Sequence, residues 1–194
     1  MKLLFATHNK NKLQEVKSLI PETLDLLGLS DVAMHDEIPE TATTLEGNAL
    51  LKARTIYQKT GVNCLADDSG LEVEALDGAP GVYSARYAGE TKSDEANIDK
   101  LLRELQGHSN RKARFRTVIA LIVNGHETLF EGIIQGTITT ERHGNHGFGY
   151  DPVFIPENHE VTFAQMTLAE KNSISHRALA TRKLTDYLNE TFRS

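Results

Sequence analysis

The order of elements in the sequence predicts an α/β or α+β fold built on a mixed sheet. Three observations predict it. A short apolar strand at the start passes straight into an amphipathic helix, helical and extended patterns alternate after it, and two long β-type runs flank an Asn-Gly turn. The 194 residues suit a single domain, 1–194, or one with a small lobe, and are enough to bury a substantial core.

In chain order, Lys2–Thr7 reads as a buried strand that turns at His8–Asn9. Asn9 is a candidate N-cap for a helix with Leu13, Val16, Leu19 and Ile20 on one face. Residues 24–38 read as short-strand and loop material. Leu45, Ala49, Leu50, Ala53, Ile56 and Tyr57 then space out a second amphipathic helix that stops at Gly61. Val62–Ala66 is a strand leading into Asp67–Asp68–Ser69–Gly70, and Leu71–Ala75 continues extended. Asp77–Gly81 is turn chemistry, and Ser93 caps a helix running through Leu105 to Gly107. Ala113–Val123 and Leu129–Thr140 form a hairpin around Asn124–Gly125, a candidate lobe. A glycine-rich loop, Gly144–Pro152, precedes a short strand, Val153–Ile155, and Ser175 caps a last helix through Leu188. No repeat, low-complexity segment or linker interrupts the pattern.

Composition narrows the function classes. Apolar residues make up 39% and charged residues 25%, the balance of a soluble globular protein. No apolar run approaches the ~18 residues of a membrane span, and Leu3–Leu4–Phe5–Ala6 is too short for a signal-peptide core. A single cysteine, Cys64, excludes an intramolecular disulfide and a multi-cysteine zinc site, and fits a cytoplasmic protein. The net charge of −6 argues against nucleic-acid binding. The charge is unevenly spread. Lys2, Lys10, Lys12 and Lys17 crowd the first 20 residues, residues 21–50 carry acids and no Lys or Arg, and Lys171, Arg177, Arg182 and Lys183 make residues 171–185 basic. Such blocks fit solvated faces, or a cleft in which cationic segments hold an anion and acidic ones a metal.

Four segments carry the chemistry. Thr7-x-Asn9-x-x-Lys12 lies where a strand enters a helix, and free N–H groups there favour phosphate. Lys10 and Lys12 in the first turn oppose the helix dipole unless an anion lies between. Asp67 and Asp68 at a strand end repel each other unless a cation offsets them, and a hard ion such as Mg²⁺, held by few carboxylates plus phosphates, suits them. Taken alone, the tetrapeptide also fits an acidic surface bend. Glu40 and Glu46 flank the start of the second helix and extend the acidic set. In Gly144–Pro152, glycines permit close approach, Phe148 or Tyr150 offers a stacking face, and Asp151 or backbone N–H groups can read a base edge. Lys171 and Ser175–His176–Arg177 add a point charge and a fork-shaped donor. Lys112, Arg114 and Arg116 alternate on one strand face and read as solvated.

Together, Thr7–Lys12, Glu40–Ala49, Ala66–Leu71, Gly78–Gly81 with Tyr83–Tyr87, Phe148–Pro152 and Glu170–Arg177 resemble, in order along nearly the whole chain, the inosine/xanthosine triphosphate pyrophosphatase family. The resemblance implies a long mixed sheet flanked by helices, two lobes with a central cleft, and a homodimer. It implies Mg²⁺-dependent hydrolysis of ITP, dITP and XTP to the monophosphate and pyrophosphate, with no nucleic-acid or membrane partner. Carried onto this sequence, Asp68 is the catalytic residue and a metal ligand, and Glu40 is the second metal contact. Thr7, Asn9, Lys12 and Lys171, with His8, Lys10 and Asn11 in the same segment as Thr7, hold the phosphates. Ser69 contacts substrate. Phe148, Gly149, Tyr150 and Asp151 with His176 and Arg177 bind the base. The sequence departs from the family pattern at Gly47, where a Glu is common, and at His8, where a Gly is common. The rival readings are a related pyrophosphatase for other modified nucleotides, such as methylated pyrimidines, and a non-catalytic nucleotide-binding regulator.

Overall fold

Six strands share one mixed sheet, and the apolar faces they expose close two separate cores. The structure, a computed structural model, describes residues 1–192. Its strands are β1 (Lys2–Phe5), β2 (Asp25–Gly28), β3 (Cys64–Val73), β4 (Lys112–Val123), β5 (His126–Ile138) and β6 (Phe154–Pro156). Its α-helices are α1 (Lys10–Lys17), α2 (Leu45–Thr60), α3 (Asp94–Glu104), α4 (Leu168–Ile174) and α5 (His176–Thr191). The strands hydrogen-bond in the order β2-β1-β3-β4-β5-β6. β1 is parallel to β2 and to β3, whereas β6 is antiparallel to β5.

The chain divides into two compact units. The first comprises Met1–Asp68, Thr117–Gly132 and the chain from Arg177 onward; the second comprises Ser69–Arg116 and Ile133–His176. In the first, alternation along each strand sends Leu3 and Phe5 of β1 and Leu65 of β3 into one core with Val16 of α1 and Ala180, Leu184 and Leu188 of α5. The even-numbered residues of β3 face the other way, where the Cys64 thiol donates to the Ala53 carbonyl of α2 at 3.2 Å. In the second unit, Leu71 and Val73 of β3, Ala113 and Phe115 of β4, and Ile98 and Leu101 of α3 pack with Tyr150, Phe154 and Phe163.

Local signals account for most boundaries. The Asn9 carboxamide accepts from the Asn11 and Lys12 amides, Thr44 caps α2 and Ser93 caps α3. Asn124 and Gly125 both have positive φ (51° and 82°), the backbone of a two-residue hairpin turn between β4 and β5. The hairpin is not a lobe of its own, because both of its strands pass from one unit to the other. The expected break at Asp67–Gly70 is absent. β3 runs through all four residues as one strand of 10, since lateral pairing overrides turn-type composition. The short helix α4 lies outside the elements read from the sequence, although the Thr167/Glu170 capping box marks its start.

Burial pushes the Cys64 thiol up to about 12. A thiol in the unfolded chain ionises near pH 8.5, so this group's contribution to stability is whole below about 8.5 and is lost as pH rises toward 12. Thiol labelling at pH 8 should therefore be negligible for the folded protein and should appear only along the denaturant unfolding curve. Fast labelling without denaturant would contradict this burial.

Candidate active site

Adjacent residues of a strand point to opposite faces, and this rule organises the site. Asp67 shares the face of Leu65, and Asp68 shares that of Cys64 and Ala66. They are not a pair converging on one ion from a strand end. Each carboxylate has its own nearest cations, although Lys12 and Lys52 act on both.

On one face, the Lys12 ammonium of α1 donates to Asp67 at 3.1 Å, and the Arg177 Nε of α5 donates to it at 3.2 Å. The Nη1 of Arg177 donates to Glu15, one turn along α1 from Lys12. Arg177 and Asp67 are 2% and 1% exposed, so the pair is dry. Burial alone would raise the Asp67 carboxyl, but Lys12 and Arg177 hold it far below the usual carboxylate range. Lys12 is shifted down by burial and by Lys52 and Arg177, against the pull of Asp67. Of the fork that the resemblance assigns to the base, Nε and Nη1 bond to carboxylates inside the first unit.

On the other face, the Asn48 carboxamide donates to Asp68 Oδ2 at 3.0 Å. The Lys52 ammonium, one turn further along α2, donates to Glu40 at 2.5 Å and lies 3.9 Å from Asp68 Oδ1. Burial raises the Asp68 carboxyl above its ordinary range, although Lys52 and Lys12 pull it down. Glu40 is also pushed up by burial, but Lys52 outweighs this and leaves it below the ordinary range. Among the described residues, no group of three His, Cys, Asp or Glu side chains could hold a metal by itself. Asp68 and Glu40, two hard oxygen donors drawn around one ammonium, do fit an ion such as Mg²⁺ that keeps waters and takes its other ligands from phosphates.

The phosphate segment is more self-satisfied than expected. The Thr7 hydroxyl accepts from the Asn9 amide, and the Asn9 side chain takes the Asn11 and Lys12 amides. The helix start is thus capped internally and is not a row of open N–H groups. His8, Lys10 and Asn11 are exposed, and His8 Nε2 bonds to the Asp36 carbonyl at 3.0 Å.

The second unit holds the other candidates. Ser69, its first residue, is half-buried. The Lys171 ammonium, expected as a point charge for phosphate, donates to Asp151 at 2.6 Å with both side chains buried. The same carboxylate accepts from the Phe148 amide at 3.0 Å, and the ammonium lies 4.8 Å from the Phe148 ring centroid. A side chain at Gly147, where φ is +74°, would strike the Asp151 carboxylate, so only glycine lets the loop fold over that acid. The Gly149 amide donates to Asp94 at the start of α3. Tyr150 is buried and donates to the Ser84 carbonyl, a packing role in place of an exposed stacking face. The His176 ring lies parallel to Phe115 at 4.7 Å between centroids. Arg114 and Arg116, read as solvated, both pair with Glu72.

Glu15, Asn48, Lys52 and Asp94 are absent from the sequence-based set. The first three had a signal, because Glu15, Asn48 and Lys52 are polar or charged residues on the buried faces of their helices. Nothing local distinguishes Asp94.

The model of the Ham1 family matches residues 3–187. A dITP/XTP pyrophosphatase from Flavobacterium psychrophilum is 56% identical over 187 residues, spanning 96% of this chain and 98% of that protein. One from Christiangramia forsetii is 54% identical over 190 residues, spanning 98% and 100%. Among solved structures, the Staphylococcus aureus Ham1 protein superposes with a TM-score of 0.89 at 39% identity, covering 98% of this chain and 99% of that one.

Replacing Arg177 with Met takes from Glu15 the guanidinium that bonds it and leaves Asp67 with Lys12 but without its second cation. Urea unfolding should show a loss of about 3–5 kcal/mol at neutral pH. The variant's loss should shrink as pH falls toward 4, because the stranded carboxylates take up protons in the folded state. The contribution of Asp67 to wild-type stability is whole above about pH 4 and is lost only as pH falls further, since Asp67 is held below its unfolded value. A loss in the variant that does not change with pH would contradict this assignment.

Proposed function

The chain belongs to the Ham1 family, and on that footing we propose that it is a nucleoside triphosphate pyrophosphatase acting on dITP, ITP and XTP. The observation that carries the reading is the position of Asp68. It is a buried carboxylate whose Oδ2 is held by Asn48 and whose Oδ1 is turned toward Lys52, with Glu40 on the same ammonium. A binding module needs no buried carboxylate oriented to take a proton from water, whereas a hydrolase does.

Water attacks the α-phosphorus, Asp68 takes its proton, and the bond from that phosphorus to the bridging oxygen breaks to release pyrophosphate and the monophosphate. Lys12 and Lys52 neutralise charge as it builds on the departing pyrophosphate. Asp68 and Glu40 would hold Mg²⁺, which supplies charge neutralisation at the phosphates when bound. We assign the base to Phe148, whose ring offers a stacking face and whose loop is held by Lys171 and Asp151. Hypoxanthine and xanthine present an O6 acceptor and an N1–H donor. Adenine reverses both, and each mismatched buried group costs about 1–3 kcal/mol.

A nucleotide panel with product identification tests the reading. The expected result is monophosphate plus pyrophosphate from dITP, ITP and XTP with Mg²⁺ and none with chelator; phosphate released stepwise would overturn it. Asp68→Asn should cut kcat by at least about 100-fold with the circular-dichroism spectrum unchanged, in line with removal of a general base.

A further inference from the structure

Glu40 lies on no helix or strand, yet its carboxylate must be within reach of Asp68 if the two are to share an ion. Besides the ion pairs Lys52–Glu40 and Lys59–Asp36, three further contacts within the first unit fix the segment that carries it. At one end, His8 Nε2 bonds to the Asp36 carbonyl at 3.0 Å. At the other, the Ala42 amide donates to the Asn48 Oδ1 at 2.9 Å, while the same carboxamide donates to Asp68. Asn48 is fully buried, so both ends of its side chain are committed. The third contact is steric. A Cβ at Gly47 would stand 2.7 Å from the Ala42 Cβ and 3.1 Å from the Thr44 Oγ1, so the segment lies against α2 only because residue 47 has no side chain.

We propose that Asn48, Gly47 and His8 are positioning residues that hold residues 36–42 as a preformed arm, setting Glu40 against Asp68 before metal or nucleotide arrives. This rests on the proposed reading of Asp68 and Glu40 as the metal-holding pair. Asn48 is the centre of the device, because one carboxamide orients the Asp68 carboxylate and anchors the arm two residues beyond Glu40. Gly47 and Ala42 act as a size-matched pair: the methyl at 42 fills the room that the missing side chain at 47 leaves. His8 restrains the far end of the arm from the segment that precedes α1. An arm held in this way does not have to be ordered when the ion binds, which is the cost that preorganisation removes.

The test is hydrogen–deuterium exchange across residues 36–44 in the full chain, without nucleotide and with or without Mg²⁺. It is paired with the half-saturating Mg²⁺ concentration for pyrophosphate release. Gly47→Ala and Asn48→Ala should each speed exchange in this segment about tenfold and raise the Mg²⁺ requirement about 10-fold or more. Adding Ala42→Gly to Gly47→Ala should restore both readouts, which a general loss of stability would not do. His8→Ala should speed exchange at residues 36–38, with His8→Gln restoring protection through its amide donor. Unchanged exchange in Gly47→Ala and Asn48→Ala overturns the proposal. So does faster exchange with an unchanged Mg²⁺ requirement, because the arm would then be structural alone. If the wild-type chain releases no pyrophosphate, the proposed function fails instead. The exchange comparison still decides this inference, since Mg²⁺ should protect the segment in the wild type more than in the variants.

Discussion

Two neighbouring carboxylates on one buried strand set the terms for the first unit. A strand cannot point consecutive side chains to the same face, so Asp67 and Asp68 must be answered from opposite sides of the sheet. α1 and α5 bring Lys12 and Arg177 to Asp67, and α2 brings Lys52 and Asn48 to Asp68. Dry ion pairs of this kind add little to net stability, but removing one partner is costly. The arrangement is better understood as a device for placement. It fixes four carboxylates (Glu15, Glu40, Asp67 and Asp68) and three cations (Lys12, Lys52 and Arg177) on three helices, a strand and one irregular segment.

The two aspartates are also driven apart chemically. Asp67 is surrounded well enough to stay ionised far into acid, whereas Asp68 is less fully compensated and is shifted upward by burial. One is held ionised by its cations and the other is raised by burial, although they are neighbours of the same type. The second unit repeats the theme on its own scale. Asp151 gathers the Phe148 amide and the Lys171 ammonium, so residues that read as ligand contacts serve first to shape a glycine loop.

Local chemistry was legible wherever its partner lay within a few residues. Asn9 and Ser93, read as caps, cap helices because the amides they accept from are their near neighbours in the chain. Asn124–Gly125 marks the hairpin because positive φ at both positions selects those residue types. The same locality misled at Asp67–Gly70, whose composition is that of a turn although its neighbours on either side hold it in a strand. α4, at seven residues, is too short for apolar periodicity to build up, and only its capping box betrays it.

By itself, then, the sequence determined the alternation of elements, the caps, and which segments carry unusual chemistry, because these depend on spacing along the chain. Only the tertiary structure decided which charge meets which. Arg177 and Asp67 are 110 positions apart and Arg177 and Glu15 are 162 apart, and no periodic pattern spans such intervals. A buried ionic group takes the partner that folding brings to it, since water is excluded and the nearest opposite charge must replace it. That is why a fork-shaped donor fit to read a base is held by two carboxylates, and why a glycine at position 47 makes sense only once the methyl of Ala42 is seen beside it.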